Sequence, residues 1–355
     1  DPATTEIYSL SLHDALPISG YEKPVSDLIA DAWRPLTDEI TSSPIGSLHA
    51  LRKAASSEPR PSLMIAAHMD GIGLLVKDIK DEFLTITQIG GVDPRVLPGQ
   101  LVTVHGVREI PGIVQMIPDR FLPASAAGKP PRHATLFVDT GLSGNELMRL
   151  VRVGDIISFA SQPVHFKDGY ISGHSLDNRA SVAALTVCLE ELKNFNLQWD
   201  LWCVATVQEE MHLIGATTST YQLRPSLGIA VDVTFAQEPG LKDHATFPLG
   251  KGPTIGLGAN VHPALHREFV EAAKEIDLPH AIETIPRSSG TDGMAMQITA
   301  GGVPTMVVGI PIRYMHTPYE LAALMDIKRT GRLLARFISR LEADSLTRLF
   351  KEEVV

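Results

Sequence analysis

Four short apolar runs, each closing on residues able to hold a metal ion, constrain this chain more than any other feature. Leu63-Met64-Ile65-Ala66-Ala67 is followed at once by His68-Met69-Asp70, and Leu201–Val207 by Gln208-Glu209-Glu210. Gly228-Ile229-Ala230-Val231 ends on Asp232, and Pro304–Gly309 is followed a few residues later by Met315-His316-Thr317-Pro318. Unbroken apolar runs of this length, rich in β-branched residues, read as buried strands. Between them lie helical spacings: Val25, Leu28, Ile29 and Trp33 early on, Val182, Leu185, Leu189 and Leu192, then Leu265, Phe269, Ala272 and Ile276. A last helix is predicted over about Met325 to Leu341, with Lys351-Glu352-Glu353 as a fraying end. Strands alternating with helices predict an α/β sheet covered by helices on both faces. In such sheets ligands gather beyond the carboxyl ends of strands, which is where the polar residues fall.

The stretch 72–163 has another texture. Short β-like runs (Gly73–Val76, Leu84–Ile89, Leu101–Val104, Thr135–Val138, Asp155–Phe159) alternate with Gly, Pro and Asp, and a proline-rich loop, expected to be mobile, spans Pro118 to Pro131. This reads as a small all-β insert that splits a larger α/β domain into residues 20–71 and 164–355. Residues 1–19 lack a starting Met, match nothing downstream and resemble a translated sequencing adaptor. They are expected to be foreign to the fold, with the true start elsewhere.

Bulk properties exclude several classes. The 44% hydrophobic content gives ample material for a core, and the net charge of −10 argues against a nucleic-acid partner. An acidic balance suits a substrate bearing an amino group. Cys188 and Cys203 lie in apolar runs and read as buried thiols rather than a disulfide framework. No apolar run is long enough to span a membrane and no signal peptide is visible, so a cytoplasmic protein without a membrane partner is expected.

Glu209 and Glu210 side by side at a strand end repel each other unless a cation compensates them. With a metal ion there, one carboxylate binds it and the other acts as general base on water. Asp177, in Ser175-Leu176-Asp177-Asn178-Arg179 before a helix, reads alone as an N-cap. Together with His68, Glu210, Asp232 and His316 it completes two histidines and three carboxylates, the donor set of two divalent ions bridged by one carboxylate.

These motifs, in order with Gly20-Tyr21-Glu22 and Gly290-Thr291-Asp292, resemble the tetrahedral (TET-type) and glutamyl-aminopeptidase family of dinuclear metallo-aminopeptidases over Gly20 to about Leu341. The resemblance implies a mixed-sheet, zinc-peptidase-like catalytic domain and a barrel-like insert that serves for dimerisation. It implies two divalent ions per subunit, Zn, Co or Mn, one on His68, Asp177 and Asp232 and the other on Asp177, Glu210 and His316. Glu209 would be the catalytic base, Asp70 would orient His68, and the substrates would be short peptides with a free N-terminus. The homo-oligomer implied is a dodecamer built from dimers. Asp292 is expected near the substrate pocket, and Arg287 either in a side-chain pocket or in a surface salt bridge. His212, where the family has small residues, reads as a bystander or a substrate contact; His105, His133, His165 and His174 read as solvated or locally satisfied. The alternatives are a related amidohydrolase (a deblocking enzyme, deacylase or carboxypeptidase) and a non-catalytic scaffold of the same fold. A cellulase, a label some members carry, needs a metal-free carboxylate pair.

Overall fold

A strand without a polar face can be buried on both sides, and the four apolar runs form the middle of one large sheet. The computed structural model describes residues 18–351, apart from 56–59, 124, 126–127 and 243–244. Strands β1 (Glu39–Ser42), β2 (Leu48–Arg52) and β3 (Ser62–His68) open the chain. Six follow in the insert: β4 (Gly73–Lys80), β5 (Phe83–Ile89), β6 (Leu101–His105), β7 (Glu109–Met116), β8 (Leu136–Asp139) and β9 (Ile156–Phe159). The chain then returns through β10 (Val164–His165), β11 (Tyr170–Gly173), β12 (Asp200–Thr206) and β13 (Leu227–Phe235). It ends with β14 (Thr254–Gly258), β15 (Ala281–Ile285), β16 (Thr305–Arg313) and β17 (Glu320–Ala323). Among the described residues eleven strands make one sheet, ordered β1-β2-β12-β3-β13-β16-β17-β11-β10, with β14 and β15 attached beside β16.

The helices are α1 (Lys23–Trp33), α2 (Gly144–Leu150), α3 (Leu176–Leu192), α4 (Ile214–Leu223), α5 (Pro263–Glu275), α6 (Asp292–Ile298), α7 (Leu324–Ser339) and α8 (Ser345–Lys351). α1, α3, α5 and α7 bury Trp33, Leu189, Phe269 and Phe337 in one large core with strand residues Leu63, Ile65 and Cys203. α4 and α6 cover a second layer around Met64, Ala66 and Val204. α8, between the predicted last helix and the expected fraying end, forms because Leu349 buries itself against the large core, and Glu352-Glu353 fall outside the described residues. Both cysteines are buried.

The insert closes into a barrel, β4-β5-β8-β7-β6-β9, with every neighbouring pair antiparallel. Its interior is filled by Leu74, Val76, Leu84, Val104, Val114 and Val138, all fully buried. β7 has no clear sequence signal, since Pro111-Gly112 reads as a turn. Gly112 instead lets the strand approach Val138, whose Cγ1 would lie 2.6 Å from a Cβ at that position. The proline-rich loop from Pro118 to Pro131 falls in part outside the described residues.

Residues 1–17 also lie outside them, but the last two residues of the stretch expected to be foreign do not. Ile18 is fully buried, bridges Gly71 and packs against Gly73, and Ser19 is buried beside it.

α3 carries Asp177 and is held from outside by α7. At their crossing a Cβ on Gly331 would lie 2.5 Å from the Ala184 carbonyl oxygen and 2.5 Å from Val187 Cβ. Backbone atoms cannot yield cheaply, so Gly331→Val is expected to lower unfolding free energy by about 1–3 kcal/mol. A urea midpoint equal to that of wild type would show the crossing to be slack.

Candidate metal centre

The parallel register of the central strands brings the predicted ligands to one edge. β3 pairs with β12 so that His68 lies opposite Thr206, and β13 pairs with β16 so that Asp232 lies opposite Gly309. Glu209 and Glu210 follow β12 by a few residues, His316 follows β16, and Asp177 opens α3. Asp177 lies between the two histidines: its Oδ1 is 3.1 Å from His68 Nε2 and its Oδ2 is 3.3 Å from His316 Nε2. Asp232 Oδ1 is 3.6 Å and Glu209 Oε2 3.9 Å from His68 Nε2, while Glu210 Oε1 is 3.5 Å from His316 Nε2. His68 is 2% exposed but His316 is 38% exposed, so the His316 side is the open one.

Local backbone geometry is unusual at this edge. Ser175, Gln208, His212, Leu213, Tyr314 and His316 all have positive φ although none is glycine. Such conformations cost about 1–3 kcal/mol each and persist where surrounding contacts over-determine them.

At Gln208 and His316 those contacts include carboxylates that accept the main-chain N–H, and neighbouring amides are held the same way. Asp70, fully buried, accepts from the amides of Glu209 (3.0 Å) and Glu210 (3.2 Å) and from the Ser19 hydroxyl (2.5 Å). His68 Nδ1 meets the carbonyl oxygen of Asp70 at 3.0 Å, while the Asp70 carboxylate stands 3.5 Å away. The residue expected to orient His68 thus does so chiefly through its backbone, and its side chain orients the Glu209-Glu210 pair. Glu320 accepts from the amides of Asp177 (2.9 Å) and His316 (3.0 Å), tying two elements together, and Glu22 accepts from those of Gly20 (2.7 Å) and Gln208 (3.2 Å). Sequence reasoning missed the roles of Glu320 and Glu22. The only trace is that Glu22 ends the Gly20-Tyr21-Glu22 motif and Glu320 lies four residues after His316.

The electrostatics fit a cation. Burial, reinforced by Asp232, Asp292 and Asp177 against the pull of His68, pushes Glu209 up to about 10. Burial and then Asp177 raise Glu210 to about 7. Hydrogen bonding to Asp177 lifts His316 to about 9, and although burial opposes it, the surrounding carboxylates raise His68 as well. Burial also acts to raise Asp177, but the two histidines outweigh it and hold its carboxyl low. These groups lack positive charge, which a divalent ion supplies, and their mixed N/O donors suit Zn, Co or Mn. Atoms that could hold a metal ion fall into two groups, each within 4.8 Å: His68, Glu209 and Asp232; Asp177, Glu210 and His316.

A cavity of about 740 Å³ adjoins the centre, lined in part by His212, Phe235, Glu283 and Arg287. Asp292 does not line it. It is 2% exposed and accepts from the Thr206 hydroxyl at 2.5 Å. Burial raises its carboxyl to about 7. Arg287 is exposed on the cavity wall. Of the other histidines, His174 is half-buried edge-on against Phe159 at 5.0 Å with both ring nitrogens out of solvent, and burial lowers it to about 3. His105 meets Ser158 Oγ at 2.7 Å.

The family model described as M42 glutamyl aminopeptidase matches residues 46–333. Lysyl aminopeptidase of Pyrococcus furiosus is 35% identical over 93% of this chain and 95% of its own length. The solved structure of an aminopeptidase from the archaeon Desulfurococcus kamchatkensis superposes with a TM-score of 0.90 at 30% identity, covering both chains fully. The Pyrococcus horikoshii TET1 peptidase, described as assembling into a tetrahedron or a large octahedral shell, gives 0.81 at 26% identity over 96% of this chain and all of its own.

The barrel's loop also reaches the centre. A Cβ on Gly91 would lie 2.6 Å from His316 Nδ1, and one on Gly90 would lie 3.1 Å from Glu210 Oε2. Gly91→Ala is therefore expected to displace the His316 ring and weaken divalent-metal binding about 10- to 100-fold, the size of effect seen when a ligand's support is lost. Calorimetric metal titration checks this; an unchanged affinity would mean the loop yields instead.

Proposed function

This chain belongs to the M42 glutamyl aminopeptidase family, it is a metal-dependent peptide hydrolase, and from that premise we propose that it removes single residues from the free N-termini of short peptides at the centre described above. The observation that carries this reading is Asp177, which presents one carboxylate oxygen to each histidine. In this reading His68, Asp177 and Asp232 hold one ion and Asp177, Glu210 and His316 the other, with Asp177 shared. Glu209 is left out of both sets because its oxygen is the farthest of the three from His68 Nε2, at 3.9 Å against 3.1 and 3.6 Å. Zn, Co and Mn all suit the donors.

The ions, when bound, supply Lewis-acid polarisation of the peptide carbonyl and lower the pKa of water. Everything else falls to the chain. Glu209, its amide pinned by Asp70, keeps its carboxylate beside the ligands, where added positive charge opposes the burial that raises it. It accepts a proton from the attacking water and returns that proton to the leaving amine. The excess of carboxylates favours a substrate that arrives with an ammonium group. Burial of His68, Asp177 and Asp232 keeps bulk water from that side of the bond being cut, while the His316 side stays open.

The barrel is the dimerisation module in this reading, and dimers close into a dodecamer. The assembly described for the Pyrococcus horikoshii relative supports it, as do Leu101, Val107 and Val153, exposed apolar residues on the insert.

The test uses metal-stripped protein reloaded with Zn, Co or Mn and a panel of aminoacyl-p-nitroanilides, unblocked and N-acetylated. Only the unblocked substrates should be cut, activity should vanish with the metal, and Glu209→Gln should lower kcat about 10²- to 10⁴-fold. Cleavage of acetylated substrates would move the protein to the deblocking enzymes. Silence with metal bound would leave a scaffold.

A further inference from the structure

On the aminopeptidase reading, the first residue of a peptide places its amine and carbonyl at the metal centre and its side chain in the adjoining cavity. We propose that Glu283 selects peptides whose first residue is basic, lysine or arginine, by pairing with the charge at the end of that side chain.

Glu283 lies on β15 and lines the cavity, half-buried. Two hydroxyls fix its carboxylate: Thr234 Oγ1 donates to Oε1 at 2.8 Å and Thr254 Oγ1 to Oε2 at 2.6 Å. Among the described residues its partners are these neutral donors and no cation. A carboxylate held rigidly by neutral donors at a cavity wall retains a charge for a ligand to meet.

Its place relative to the metal centre follows from sheet register. Thr234 is two residues beyond Asp232 on β13, so both side chains point to the same face, about 7 Å apart along the strand. Gly309 lies opposite Asp232 on the neighbouring strand, about 5 Å away. A Cβ at Gly309 would lie 3.0 Å from Glu283 Oε2 and 2.3 Å from Thr254 Oγ1, so the missing side chain leaves the space that the carboxylate and its threonine occupy. Glu283 therefore stands one strand spacing from a metal ligand on the ligand-bearing face. An extended lysine side chain spans roughly 6 Å from Cα to its nitrogen, by bond lengths near 1.5 Å. Ile285, Pro286, Leu213 and Met315 on the cavity wall offer apolar surface to the aliphatic stem.

Arg287 carries the opposite charge on the same cavity, but it is exposed and no carboxylate among the described residues pairs with it. Water and salt screen an exposed, flexible guanidinium. The fixed charge beside the ligands sets the preference.

Metal-reloaded protein is assayed with Lys-, Arg-, Leu- and Glu-aminomethylcoumarins, wild type beside Glu283→Gln and Glu283→Lys, with folding checked by thermal melting. The Lys and Arg substrates should exceed Leu and Glu in kcat/KM by about tenfold or more. Glu283→Gln should cut the Lys-to-Leu ratio by about 10- to 100-fold, the usual worth of a hydrogen bond to a charged group. Glu283→Lys should shift the preference toward the Glu substrate. A Lys-to-Leu ratio unchanged in Glu283→Gln, or a wild type that prefers Glu, overturns the proposal and, in the second case, gives the role to Arg287. Failure to cleave any substrate rejects the aminopeptidase reading instead, and binding then decides the pocket. Calorimetry with lysinamide and its neutral isostere norleucinamide should show a preference for lysinamide that Glu283→Gln abolishes; equal binding overturns the assignment.

Discussion

The whole active edge of this protein depends on the difficulty of holding carboxylates together away from water. Asp70, Asp177, Asp232 and Asp292 are all buried, and Glu209 and Glu210 lie among them. Each acid raises the energy of its neighbours' charged forms, as the upward shifts of Glu209, Glu210 and Asp292 record. Such a cluster is stable only if positive charge or N–H donors face it. Two histidines face the inner members, and the chemistry of the donors calls for cations. The outer members, Asp70, Glu320 and Glu22, are met by main-chain amides.

That division of labour explains the strained loops. Each of the three outer acids accepts the amides of residues in or beside a loop of the centre, and two non-glycine residues among them, Gln208 and His316, sit at positive φ. At these two positions a buried carboxylate takes the N–H group that the left-handed backbone presents, which offsets the cost of the dihedrals. Replacing any outer acid would release the loop and the ligand on it together.

The insert is part of the same arrangement. Its barrel has a separate apolar core, yet the loop after β5 places the bare backbone of Gly91 against the His316 ring and that of Gly90 near Glu210. A module whose sequence suggests only assembly is thus one wall of the centre, and a side chain at either glycine would crowd the His316 ring or the Glu210 carboxylate.

Much of this was legible in the chain. The unbroken apolar run of Leu63–Ala67 ending on His68, and that of Leu201–Val207 leading to Glu209-Glu210, indicated strands, their direction and their chemistry, because periodicity and side-chain type are local properties. The all-β texture of the insert indicated a small all-β unit, although Pro111-Gly112 hid β7 and polar flanks hid α8. The outer carboxylates and the pocket were not legible. Glu320 is recognisable only once β17 brings it under Asp177, 143 residues away, and Glu283 only once β14 and β15 lay it beside Gly309. Asp70 could be singled out from its spacing to His68, but not the fact that its side chain serves Glu209 and Glu210. The sequence by itself determined which atoms can bind and exchange protons. The tertiary structure decided which of them meet, because hydrogen bonds and charge interactions act over a few ångströms and only sheet register brings distant residues that close.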